Sequence, residues 1–155
     1  MSKGDLLKVQ RLSQKEGLLA DEEIELIKYY GKKHGFRSNE DRLKAYMKIL
    51  FRDKESKVAR MEDLFEKKEP SIFENVKESS VIDKDAIRSQ FNHFQGEELK
   101  KVQQNLAAML KSVFATYSEA TYYQGLNEVM ATLQREYQPK EALILFEGLI
   151  NAHLW

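Results

Sequence analysis

The chain has 155 residues, 42 % apolar and 32 % charged, and its 25 basic and 25 acidic residues cancel. This is enough for one domain with a real core and excludes a disordered chain, while the lack of a basic surplus argues against nucleic acid as the partner. With no cysteine, disulfides, thiolate metal sites and cysteine nucleophiles are excluded, and a reducing compartment is allowed. The opening Met-Ser-Lys-Gly-Asp lacks the apolar core of a signal peptide, and its glycine is not at the myristoylation position. The most apolar run, residues 142–150, is interrupted by Glu147 and falls well short of the about 20 residues that span a bilayer. The expected location is cytoplasmic.

In chain order, Leu6-Leu7, Val9 and Leu12 can share one helix face, with Gly17 as a stop. A second helix is expected from Asp21, whose carboxylate can cap free amides, with Ile24, Leu26-Ile27 and Tyr30 apolar. Gly31 and Gly35 bracket a basic Lys32-Lys33-His34 and are expected to end it. Ser38 with Asp41 three residues on marks a third start, followed by Leu43, Tyr46, Met47 and Leu50 at helical spacing. Residues 56–68 predict a further helix, closed by Pro70, and residues 69–80 a surface connection anchored by Ile72, Phe73 and Val76. A short helix is expected over residues 83–90, with Ile82, Ile87 and Phe91 as apolar anchors.

After Gly96, Leu99, Val102, Leu106, Met109-Leu110, Val113-Phe114 and Tyr117 form a continuous apolar stripe, the mark of a core helix. Leu126, Val129-Met130 and Leu133 predict the next, ending near Tyr137. Pro139 suits the first turn of a last helix that is apolar on most sides. No segment alternates with a two-residue period, and no repeat or low-complexity tract occurs. The fold class read from this pattern is all-α.

Most routes to chemistry are thinly supplied. His34, His93 and His153 form no pair at ligand spacing, Ser112 and Ser118 lack a nucleophile motif, and no phosphate-cradling glycine loop or Walker lysine is present. Lys32-Lys33 and the charge-mixed Lys67-Lys68 are too small for a membrane-binding surface. Two stretches remain. Asp85 precedes Arg88 by three residues, where it can hold the guanidinium by a hydrogen-bonded ion pair; an ordinary surface pair reads the same way. Gln124-Gly125 stands at a helix entrance, with Tyr122 and Tyr123 expected to pin the turn and the glycine to admit a close neighbour. An arginine and a glutamine are the two side chains that GTP hydrolysis on a small GTPase takes from a partner or from itself.

Together and in order, Ile82-x-x-Asp85-x-x-Arg88 and Tyr122-x-Gln124-Gly125 resemble the signature pair of the TBC domain, the Rab GTPase-activating fold. Gly35-Phe36, Arg42 and the run from Tyr46 to Leu50 are similar to the family's opening helix, with Tyr46 where a tryptophan is common. Leu110-x-x-Val113-Phe114 into Tyr117 resembles the helix before its glutamine motif. Ser89-Gln90-Phe91 departs from the family's frequent Thr-x-Pro. The resemblance implies residues 1–34 as a helical extension and 35–155 as the TBC domain, with its C-terminal subdomain missing or reduced. It implies Arg88 and Gln124 as catalytic fingers in trans, with Ile82, Asp85, Tyr122 and Gly125 supporting. The protein would need no cofactor of its own, because Mg²⁺ and GTP would be held by the partner Rab. The motif Tyr122-Tyr123-Gln124-Gly125 with His153-Leu154 is most similar to the branch typified by TBC family member 20, with a departure at Asn127. That implies a Rab1-type partner, vesicle traffic, and work at endoplasmic reticulum or Golgi membranes. The alternative from another class is a helical binding module that engages a Rab or another partner without accelerating hydrolysis.

Overall fold

A computed structural model describes residues 3–15, 19–51, 55–89 and 91–151. Gly17, Gln90 and the His153-Leu154 pair lie outside the described residues. Those described hold nine α-helices and no strand: α1 (Lys3–Gln14), α2 (Asp21–His34), α3 (Asn39–Leu50), α4 (Val58–Lys67), α5 (Pro70–Glu74), α6 (Ser79–Arg88), α7 (Gly96–Thr116), α8 (Leu126–Glu136) and α9 (Pro139–Leu149). Contacts divide the chain into two compact units, Met1–Glu55 and Ser56–Trp155. No helix among the described residues is long and apolar enough to cross a membrane.

The first unit packs α1, α2 and α3 around Leu19, Ile24, Ile27 and Ala45. On α1, Val9 and Ser13 are buried while Leu7 is exposed, so the buried stripe is turned from the expected one. Helix α2 starts at Asp21, but Asp21 is not its cap. Ala20 holds that position, and Glu23 reaches back to accept the Ala20 N–H at 3.0 Å. Glu23 also accepts from Lys15, and this hydrogen bond, first among the causes, lowers its pKa. Gly31 does not end α2. It sits inside the helix because Phe36 folds back over it, where an added Cβ would lie 2.6 Å from the ring. The Ser38 cap forms as expected, accepting the Asp41 N–H at 3.1 Å. The buried side of α3 is Asp41 and Ala45 rather than Tyr46, because the small alanine lets a neighbouring helix approach.

The second unit is built on α7, which touches α4, α5, α6, α8 and α9. Leu106, Met109, Leu110 and Val113 are fully buried, each contributing about 1.5–3 kcal/mol of apolar burial. Against them lie Met61, Ile82, Met130, Leu143, Phe146 and Ile150. Pro70 does not close α4. That helix ends at Lys67, Lys68 turns with φ 49°, and Pro70 opens α5 in the first-turn position that its missing N–H suits.

One polar node stands inside this core. Glu147 of α9 has 0 % exposure and accepts from Ser56 Oγ, the Lys57 N–H and Tyr117 Oη, each at 2.6 Å. A buried carboxylate without donors would be very costly, and here three donors satisfy both oxygens while tying α9 to the start of α4. Burial, then the bond to Glu147, pushes the Tyr117 hydroxyl up to about 12.

Candidate functional site

Arg88 is the last residue of α6, and its side chain is 70 % exposed. The helix begins at Ser79, four residues ahead of the expected start. Ile82, Asp85, Ala86 and Ser89, at positions i, i+3, i+4 and i+7, share one face and are buried. Ile87 therefore points outward, 69 % exposed, and is not the apolar anchor the sequence predicts.

Asp85 is 4 % exposed, and its Oδ2 accepts the Tyr122 hydroxyl at 2.7 Å across 37 residues of chain. Its Oδ1 faces Arg88 Nη1 at 4.0 Å, the outer limit of ion pairing and too long for a hydrogen bond. The expected hydrogen-bonded Asp85–Arg88 pair is thus a loose ion pair, and the strong partner of Asp85 is Tyr122. Burial, with the Asp85 bond adding to it, pushes the Tyr122 hydroxyl well above the usual tyrosine range. The Tyr122 ring meets Phe114 of α7 edge to face, with centroids 5.8 Å apart.

The glutamine turn follows directly. Tyr122 is buried and pins it, whereas Tyr123 is 50 % exposed and does not. Gln124 and Gly125 are exposed, and Gly125 precedes α8 with φ 109°, a conformation that L side chains rarely adopt. No atom lies within 4 Å of a Cβ placed there, so within this chain the glycine is required by the backbone angle and not by a close neighbour.

Asn127 is the residue that sequence reasoning missed. Its Nδ2 donates to Ser89 Oγ at 2.8 Å and to the Asp85 carbonyl at 3.4 Å, and its Oδ1 accepts the Gly125 N–H at 3.0 Å. Ser89 in turn donates to the Asp85 carbonyl at 2.9 Å. One buried network therefore joins the end of α6 to the turn before α8. The hydroxyl of Ser89, next to Arg88, was the available signal.

Ile82, Asp85 and Tyr122 are buried, and Arg88, Gln124 and Gly125 are exposed, all within three residues of the Asp85–Tyr122 bond. The arrangement can hold a cation and an amide out from a rigid base. A cavity of about 420 Å³ is lined by Phe91, Phe94, Val102 and Gln134. Among the described residues no group of three or more acidic or histidine side chains could hold a metal ion.

Compared with protein families, residues 39–155, more than half of the chain, match the model of the Rab-GTPase-TBC domain. The comparisons with curated proteins and with solved structures gave no match.

Proposed function

Because the chain belongs to the Rab-GTPase-TBC domain family, we propose that it accelerates GTP hydrolysis on a Rab GTPase by lending it Arg88 and Gln124. The observation that carries this reading is the buried Asp85–Tyr122 hydrogen bond, which roots an exposed arginine and an exposed glutamine in one base. The phosphoryl-transfer transition state spreads charge over the γ-phosphoryl oxygens and asks for positioned charge more than for covalent chemistry. Arg88 would neutralise that charge, and Gln124 would orient the attacking water. The partner would hold GTP and Mg²⁺. Asp85, Tyr122, Asn127 and Gly125 act only on the aim of the two fingers, and Ile82 anchors α6 beneath them.

In this reading residues 35–155 do the catalytic work and residues 1–34 are an extension. The Tyr122-Tyr123-Gln124-Gly125 sequence supports the branch typified by TBC family member 20. With it come a Rab1-type partner, a role in vesicle traffic, and action from the cytoplasm on endoplasmic reticulum or Golgi membranes. The test is GTP hydrolysis by a Rab panel, Rab1-type included, with this chain in catalytic amount. Acceleration of at least one member, lost in Arg88→Ala and in Gln124→Ala, is the expected result. A Rab that binds the chain in its GTP form yet hydrolyses no faster would replace this reading with a non-catalytic binding module.

A further inference from the structure

Among the described residues, one buried side-chain atom has no hydrogen-bond partner, the amide oxygen Oε1 of Gln134. Elsewhere in the Ser56–Trp155 unit such groups are met, as the three donors on Glu147 and the three bonds of Asn127 show. A buried acceptor left unmade is costly, so the orphan calls for a reason. Gln134 lies in the last turn of α8 and lines the cavity of about 420 Å³. That volume falls within the range of small-molecule sites, about 300–1,000 Å³.

Three elements supply the walls. Phe91 and Phe94, on the connection from α6 to α7, meet edge to face with ring centroids 6.4 Å apart. Val102 of α7 adds an aliphatic side, and Arg135 of α8 sets its guanidinium 5.4 Å from the centre of the Phe91 ring. Glu136 follows Arg135 in the lining and opposes its charge, so this pair favours neither an anion nor a cation. Gln134 Nε2 donates to the Val102 carbonyl at 3.4 Å, so turning the amide over would set Oε1 against a carbonyl oxygen. That bond is longer than the usual 2.7–3.2 Å, and the amide is held loosely.

The geometry points to a binding site, at the α6–α7 connection and the end of α8, for an uncharged planar aromatic molecule carrying one N–H donor. Its ring lies against Phe91, Phe94 and Val102, and its N–H donates to Gln134 Oε1. A small turn about the last side-chain bond of glutamine, which is soft, opens Oε1 to the cavity that Gln134 lines. Water does not fill this role. Oε1 is out of reach of solvent, and a water held there would need two or more polar partners where aromatic and aliphatic walls stand. A flat ring gains packing against those walls, which drives the turn of the amide. The acceptor then selects, because a ring of the same shape without a donor leaves it unpaired. This site stands apart from any role of Arg88 and Gln124.

The test titrates two probes into the full chain and follows its backbone amide resonances. Indole offers a flat ring and one N–H; benzothiophene has the same ring shape and no donor. Indole is expected to shift the amides of Phe91, Phe94, Val102 and Gln134 with a Kd below about 1 mM, and benzothiophene to bind about tenfold more weakly. Gln134→Met keeps the side chain's length and removes the acceptor. It is expected to weaken indole about tenfold, to the level of benzothiophene, and to leave benzothiophene unchanged. Its melting temperature is expected to equal or exceed that of wild type, because an unpaired buried acceptor has been replaced by an apolar group. Val102→Phe fills the cavity and is expected to remove binding of both probes. Indole that shifts no amide of the folded chain, or only amides remote from these residues, would overturn the inference. Equal Kd values for the two probes would do the same. So would a Gln134→Met protein that melts several degrees below wild type, since Oε1 would then be satisfied in solution. A tryptophan-bearing peptide that binds here while free indole does not would assign the cavity to a protein partner and also overturn it.

Discussion

Two buried carboxylates in the larger unit each receive a tyrosine hydroxyl, Glu147 from Tyr117 at 2.6 Å and Asp85 from Tyr122 at 2.7 Å. Glu147 spends both oxygens inside the protein, on Ser56, Lys57 and Tyr117, and nothing about it reaches the surface. Asp85 spends one oxygen inside and turns the other toward an exposed arginine at 4.0 Å. The same chemical pair thus closes a core in one place and supports a surface site in the other. The two acids differ in the acceptor left unspent and not in their burial.

The comparison breaks most visibly through the exposed partner. Arg88→Ala is expected to remove about 10³–10⁵-fold of the rate acceleration while leaving the melting temperature unchanged, because a 70 % exposed side chain holds up little of the core. Stopped-flow phosphate release and a thermal melt on the same preparation check both halves. At the closed node the pattern reverses. Glu147→Ala strands three donors in the core and is expected to cost about 3–5 kcal/mol in urea unfolding, with any activity lost only as the fold is lost.

Smaller substitutions sharpen the contrast. Tyr122→Phe removes the donor to Asp85 and is expected to cost about 1–3 kcal/mol of stability; unlike Tyr117→Phe, it should also lower kcat by loosening the common base of the two fingers. A kcat equal to wild type in a folded Tyr122→Phe protein would mean the bond does not aim the site. Gly125→Ala forces a side chain onto φ 109° and is expected to cost about 1–2 kcal/mol, read as a lower urea midpoint, because the space around it is open and only the backbone objects. The mildest effect is alkaline. Tyr117 is raised from its ordinary 10 to about 12, and Tyr122 is raised further in the same direction. A raised folded-state pKa means the folded chain holds the proton longer, so the stability from both hydroxyls is full below about pH 10 and declines as pH rises toward and through 12. Melting temperatures between pH 9 and 12 should fall accordingly, and less in Tyr117→Phe.

The sequence carried the architecture well where periodicity was long. The stripe from Leu99 to Phe114 became α7, and Pro139 opened α9 as its ring requires. The motifs singled out Arg88 and Gln124, and both side chains are exposed. The misses share a cause. Asn127, Ser89 and Glu147 take their meaning from partners tens of residues away, which no local spacing reveals. Glu147 read as an interruption in an apolar run, although an acid in such a run must find donors if it is buried. Ile87 faces outward because the rotation of α6 is fixed by its core face, Ile82, Asp85 and Ala86, which tertiary packing and not local spacing selects. Gly31 is a glycine inside a helix and not a stop, and the Phe36 ring occupies the space that a side chain there would need.

The most direct test of the central claim, that Arg88 and Gln124 act as one unit on a shared buried base, is a double-mutant cycle in single-turnover GTP hydrolysis. Arg88→Ala and Gln124→Ala are each expected to lose at least about 10²-fold, with the double variant little worse than the poorer single one, as for groups that act together. Losses that multiply in full, or a single variant that keeps the wild-type rate, would contradict it.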